Sequence, residues 1–242
     1  MSGHSKWATT KHKKAIIDAK RGKAFTKMAK LVTIATRDGK SGDPTMNPSL
    51  RMAIENAKSV SMPKENIDRA IKKGLGEGGG AAIEEITYEA YGPNGVALLI
   101  ECLTDNKNRT VGDIKAILNK YNGSLAGPGS VSYLFKKVGQ IILDESKNTL
   151  KGDDLDLVII DSGADDFEKE DGLCIIICSF NAMHQVRKSL EDAGVTIESS
   201  EFVQQPSTLI DLPEDKQSSL VSIIEKLEEI DDVSNIYANL NI

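Results

Sequence analysis

Aromatic residues make up only 5% of the 242 positions, and Trp7 is the single tryptophan. Nowhere do 18 apolar residues follow one another, so nothing in the sequence is long and greasy enough to span a bilayer as a helix. The chain is polar from residue 2 and lacks the apolar core of a secretory signal. A cytoplasmic location without membrane attachment is therefore expected. Cysteine is scarce: Cys102, Cys174 and Cys178. An odd number of thiols, two of them inside one apolar run, argues against a disulfide framework and for a reducing compartment. Cys174 and Cys178 would share a face of a strand, but a zinc site would need two more ligands, and the three histidines stand at 4, 12 and 184. No bound metal and no cofactor are expected.

Recognisable catalytic patterns are missing too. Gly74, Gly76 and Gly79 match a dinucleotide-binding glycine spacing, but a helix precedes them where a strand is required. Asp153, Asp154 and Asp156 lack the glycine and terminal glutamate of a calcium loop. The acidic run from Asp165 to Asp171 has the pattern of a solvated edge hairpin. His184 has no thiol or carboxylate partner nearby in sequence. No catalytic residues are assigned, and the chain is expected not to be an enzyme.

What the sequence does have is strongly segregated charge. Overall it carries a net charge of −6. Yet residues 3–30 hold nine cations, Lys6, Lys11, Lys13, Lys14, Lys20, Arg21, Lys23, Lys27 and Lys30, against one acid, Asp18. Residues 1–80 carry 17 Lys and Arg against 7 Asp and Glu, a net of +10, and residues 81–242 carry 13 against 29, a net of −16. A basic stretch at one end of an acidic protein is the electrostatic footprint of a polyanion partner. The alternative is a solubilising basic face. Trp7 and His12 lie inside the run, and Trp7 offers a flat surface on which a base can stack. The candidate nucleic-acid-binding set is therefore those nine cations with Trp7 and His12. The acidic remainder would repel nucleic acid and is a surface for protein partners.

Periodicity divides the chain into three parts. Residues 1–80 read as a small helical bundle ending in a glycine-rich hinge. Phe25, Met28, Val32 and Ala35 form one stripe, Gly39 suits a helix end, and Pro63 suits the start of a third helix. Residues 86–91 and 96–103 flank the turn Gly92-Pro93-Asn94-Gly95 as a hairpin. Thr110 is expected to cap the next helix, with Asp113 completing a capping-box spacing. Strand 138–144, helix 152–163, strands 165–170 and 172–179, helix 181–193 and strand 195–203 follow in the βαββαβ order of a ferredoxin-like sandwich. The closing elements, strand 203–210, helix 214–230 and strand 233–240, lack partners of their own. Pairing them with the hairpin makes residues 131–203 an insertion in a domain built from 81–130 and 204–242. The fold class is multidomain α+β.

One polar cluster outside the basic segment stands out: Asp105-Asn106-Lys107-Asn108-Arg109-Thr110. It can be a capped strand-to-helix turn, or Arg109 can be a candidate anion site at a helix N-terminus.

Gly3-His4-Ser5-Lys6-Trp7, Lys20-Arg21-Gly22-Lys23, Tyr91-Gly92-Pro93, the Asp105–Thr110 cluster and Gly129-Ser130-Val131 with Tyr133-Leu134-Phe135 together resemble the YebC/PmpR family over essentially the whole chain. The resemblance implies an N-terminal helical domain and two α+β domains, the last ferredoxin-like and inserted in the second. It also implies a DNA-binding transcriptional regulator. Mitochondrial relatives imply the alternative, a ribosome-associated translational activator that binds ribosomal RNA or tRNA. A third reading, from the charge alone, is a scaffold for basic proteins. Lysine predominates at the basic positions, which favours phosphate contact over reading of base edges.

Overall fold

The computed structural model describes residues 21–77 and 82–241. The helical layer consists of α1 (Arg21–Asp38), α2 (Pro48–Ser59) and α3 (Lys64–Gly74). The predicted stripe of α1 meets α2 and α3 in a core of Met28, Val32, Leu50, Ala57, Met62, Ile67 and Ala70. Asn47 caps α2 by accepting from the Leu50 amide at 3.0 Å, and Pro48 takes the first helical position, where a missing N–H does no harm.

The end of α1 differs from the expectation. The left-handed residue is Lys40, at φ 49°, rather than Gly39. Gly39 is needed for room. A Cβ there would lie 2.1 Å from the Asn47 side chain, which is buried and donates to the carbonyls of Ala35 and Ser41 at 2.8 and 3.2 Å. Gly74 serves close approach in the same way: a Cβ would meet the Thr33 carbonyl oxygen and the Thr36 side chain, both at 2.6 Å. Thr33 and Thr36 are β-branched residues inside a helix. Their hydroxyls donate to the Ala29 and Val32 carbonyls one turn back, so neither is left unsatisfied.

The chain next forms β1 (Glu84–Tyr91) and β2 (Ala97–Thr104), an antiparallel hairpin running from Glu84 opposite Thr104 to Tyr91 opposite Ala97. Asn94 and Gly95 take the positive φ its turn requires, 61° and 78°. Helix α4 (Lys107–Lys120) and the short β3 (Ser124–Leu125) follow. Near the C-terminus come β8 (Ile210–Asp211), α7 (Glu214–Glu228), β9 (Val233–Ala238) and β10 (Leu240–Asn241). β9 pairs antiparallel with β2, giving a sheet of order β3-β1-β2-β9, whereas β8 pairs with β10 in a separate two-stranded sheet, so of the closing strands β9 alone joins the hairpin's sheet. α4 and α7 cover it through Ile114, Leu118, Leu220, Ile223, Ile224 and Leu227. Helices, hairpin sheet and C-terminal elements form one compact unit. Within it, Leu31 and Ile34 of α1 pack on Ile83 and Leu103, so α1 is apolar on two faces.

Residues 137–204 form a second compact unit. It contains β4 (Phe135–Asp144), α5 (Asp153–Asp161), β5 (Asp166–Glu170), β6 (Leu173–Ser179), α6 (Met183–Asp192) and β7 (Ser199–Pro206), the first and last of which extend slightly beyond it. The strand order β5-β6-β4-β7 is that of a ferredoxin-like sheet. β5 is an edge strand, as the acidic pattern predicted, but Asp166, Glu168 and Glu170 on it are half-buried where solvated side chains were expected. β7 begins only at Ser199 and runs unbroken to Pro206, where sequence alone suggested a break near 203.

Gly39→Ala should destabilise the chain by about 1–3 kcal/mol, because the added methyl must displace Asn47 and its cap. Urea unfolding should show a lowered midpoint with an unchanged m-value.

Candidate nucleic-acid interface

Lys6, Trp7, Lys11, His12, Lys13, Lys14 and Lys20 lie outside the described residues. Arg21 and Lys23 stand in the first turn of α1. The two remaining lysines of the candidate set face the sheet. Lys27 donates to Asn235 Oδ1 at 2.7 Å, a neutral partner that leaves its charge uncompensated. Lys30 is fully engaged: its ammonium donates to the Leu103 and Asp231 carbonyls at 2.9 and 3.1 Å and to Asp232 Oδ1 at 3.0 Å. With three donors on three oxygens, Lys30 holds the helical layer to the sheet and has no proton left for a phosphate.

Arg109 is also committed. Its Nη2 reaches Asp232 Oδ2 at 2.6 Å and Asp105 Oδ1 at 3.0 Å. The helix boundary differs from the sequence expectation as well. Asn106 is the N-cap of α4, accepting from the Arg109 amide at 3.1 Å, whereas Thr110 sits one turn inside and is fully buried. Its hydroxyl lies 2.9 Å from Asp232 Oδ2 and 2.8 Å from the Thr104 hydroxyl. Burial, not solvent-side capping, is what the Thr110 position serves.

These contacts converge on Asp232, whose side chain is 8% exposed. It accepts from Lys30 of α1 and Arg109 of α4, with the Thr104 hydroxyl of β2 at 3.1 Å. Burial pushes its carboxyl up, but hydrogen bonds from Arg109, Lys30 and Thr110 outweigh that and hold it down at about 2. Nothing in the sequence singled out Asp232, which follows the acids Glu228, Glu229 and Asp231.

A second buried carboxylate also escaped the sequence reading. Glu89 of β1 accepts from the amides of Gly129 and Val131 at 2.6 Å and of Ser132 at 2.9 Å. Burial raises its carboxyl, yet three backbone donors bring it below the usual range. Glu89 thereby fixes the 127–132 loop, so the Gly129-Ser130-Val131 motif has a structural reason.

The three thiols are fully buried, and burial pushes Cys102 and Cys174 up to about 12 and Cys178 up to about 11. Among the described residues no cluster of histidine, cysteine and carboxylate could hold a metal ion, and no helix is long and apolar enough to cross a membrane.

The folded carboxyl of Asp232 titrates below its ordinary value of 3.8. Its stabilisation is therefore present above about pH 4 and lost as pH falls towards 2, an effect of about 2 kcal/mol. Asp232→Asn should flatten that acid limb in pH-dependent unfolding and cost about 3 kcal/mol at pH 7, since Lys30 loses its charge partner. For the thiols, an aromatic disulfide reagent should label none in the native protein and all three after denaturation, because the thiolate is the reactive species.

The comparisons with known proteins agree with the motifs. The family model described as TACO1/YebC protein N-terminal domain matches residues 5–77, and the TACO1/YebC second and third domain model matches 83–240. A protein of Chloroflexus aggregans, named a probable transcriptional regulatory protein, is 49% identical over all 242 residues and 96% of its own length. One of Thermoanaerobacter pseudethanolicus, similarly named, is 48% identical over the whole chain and 98% of its own length. The crystal structure of a conserved hypothetical protein from Aquifex aeolicus superposes with a TM-score of 0.89 at 39% identity, covering 98% of this chain and 96% of that one. Matched along almost its entire length by both domain models and by relatives of nearly the same size, the chain belongs to the TACO1/YebC family.

Proposed function

We propose that this protein is a non-enzymatic regulator of gene expression that grips DNA through its basic N-terminal segment. The observation that carries the reading is the charge segregation: nine cations and one acid in residues 3–30, against a net of −16 in residues 81–242. The names of the relatives, probable transcriptional regulatory proteins, support the same direction. Lys6, Lys11, Lys13, Lys14, Lys20, Arg21 and Lys23, with Lys27, supply phosphate contacts. Lys30 is left out of that set because Asp232 neutralises it. Acidic surface beyond residue 80 turns the polyanion away and offers itself to protein partners.

A second reading has one feature in its favour. Trp7, amid the lysines, suits stacking on an unpaired base, which is commoner in structured RNA than in intact duplex. That would make the protein a ribosome-associated translation factor.

With about six lysines and Arg21 on a duplex, the logarithm of affinity should fall against the logarithm of salt with a slope of roughly −6. Lys11, Lys13 and Lys14 replaced together by alanine should reduce that slope by about 2–3 and weaken all sequences alike, as measured by fluorescence anisotropy. An unchanged slope would remove the basic segment as the site. Trp7→Ala should cost about 1–3 kcal/mol where it stacks; a loss seen on ribosomal RNA or tRNA and not on duplex DNA would decide for the translation factor.

A further inference from the structure

Between the helical layer and the start of α4 lies a cleft of about 420 Å³. One face of α3 lines it, through Asn66, Arg69, Ala70 and Lys73, spaced as i, i+3, i+4 and i+7. Phe25 of α1 and Met62 contribute apolar wall. The cleft also contains Lys30, Arg109, Asp105 and Asp232, so four cations meet two carboxylates. Both carboxylates are already answered, Asp232 by Lys30 and Arg109, and Asp105 by Arg109. Arg69 and Lys73 are different. Neither has a carboxylate partner among the described residues, and Arg69 has only a long 3.5 Å contact to Asn66 Oδ1. Two uncompensated cations thus face a concave site in an acidic protein, beside an aromatic ring and a polar amide.

We propose that this cleft is a phosphate site for a nucleic-acid strand, with Arg69 and Lys73 as its anion ligands. It rests on the nucleic-acid reading above and extends the contact surface beyond the basic segment. α1 connects the two regions. From Lys23 to Ala29, which lines the cleft, is six residues of helix, about 9 Å, or roughly the rise of three base steps. A strand gripped by the basic segment and followed along α1 reaches the cleft within a few nucleotides. Phe25 and Met62 give the adjoining sugar or base an apolar wall, and the guanidinium of Arg69 can take two phosphate oxygens at once. Asp105 and Asp232 do not repel the strand, because both are neutralised within the protein.

The test uses the full-length protein, a fluorescein-labelled single-stranded oligonucleotide and its duplex, titrated by anisotropy across a salt series. Arg69→Ala with Lys73→Ala should lower the salt slope by about 1.4 on the single strand and about 1.8 on the duplex. Over the decade below 1 M, the single-strand change corresponds to about 25-fold weaker binding at 0.1 M salt. Arg69→Lys with Lys73→Arg should retain the slope, since charge is kept. An unchanged slope in the alanine variant, while the Lys11, Lys13 and Lys14 variant loses its own, would overturn the cleft and leave the basic segment standing. No binding by the wild-type protein would overturn both. A labelled mononucleotide held by wild type and lost in the alanine variant, with the oligonucleotide slope unchanged, would assign the cleft to free nucleotides and overturn the strand. Melting temperatures within a few degrees of wild type separate lost contacts from lost folding.

Discussion

A single buried carboxylate ties the first unit together. Asp232 stands just before β9, yet its partners come from α1, β2 and α4, elements far apart in sequence. Burying a charge costs several kcal/mol unless it is paired and hydrogen-bonded, so this position is tolerable only when all its partners are in place. Leaving one partner out strands a charge at low dielectric. The arrangement thereby makes the helical layer's seat on the sheet an all-or-none matter. Apolar packing of Leu31 and Ile34 on Ile83 and Leu103 supplies attraction but little direction. Asp232 supplies the direction.

That division of labour explains why the basic charge of α1 is not all of one kind. A helix presents every third or fourth residue on a face, so Lys27 and Lys30, three apart on α1, turn to the same side. Lys30 turns in and is spent on structure. Lys27 turns in but meets an amide, keeping its charge. Arg69 and Lys73 on α3 likewise have no carboxylate partner among the described residues.

Much of the fold was legible in the sequence because it rests on local periodicity. The stripe from Phe25 to Ala35, the hairpin turn at Gly92–Gly95 and the βαββαβ order each follow from spacing of two or 3.6 residues and from turn chemistry. What stayed hidden depends on contacts that spacing does not encode. Thr110 looked like a cap because its neighbours are polar; only the tertiary structure reveals that the helix starts one turn earlier and buries it against Thr104 and Asp232. Gly39 looked like a conformational glycine, when its missing Cβ makes room for Asn47 instead. Arg109 carried both readings in sequence, and its pairing with Asp105 and Asp232 gives it a structural role.

Charge bookkeeping by segment has the same limit. Counting nine cations in residues 3–30 treats them as equivalent, whereas a polyanion meets only those not already paired. Asp232 subtracts Lys30 from the surface, and by sharing itself with Arg109 it subtracts a second cation. It also cancels its own repulsion of phosphate at the cleft. A carboxylate that would oppose nucleic acid if it were free instead becomes electrostatically silent. The acidic domain can therefore stand directly beside a basic groove without closing it to an anion.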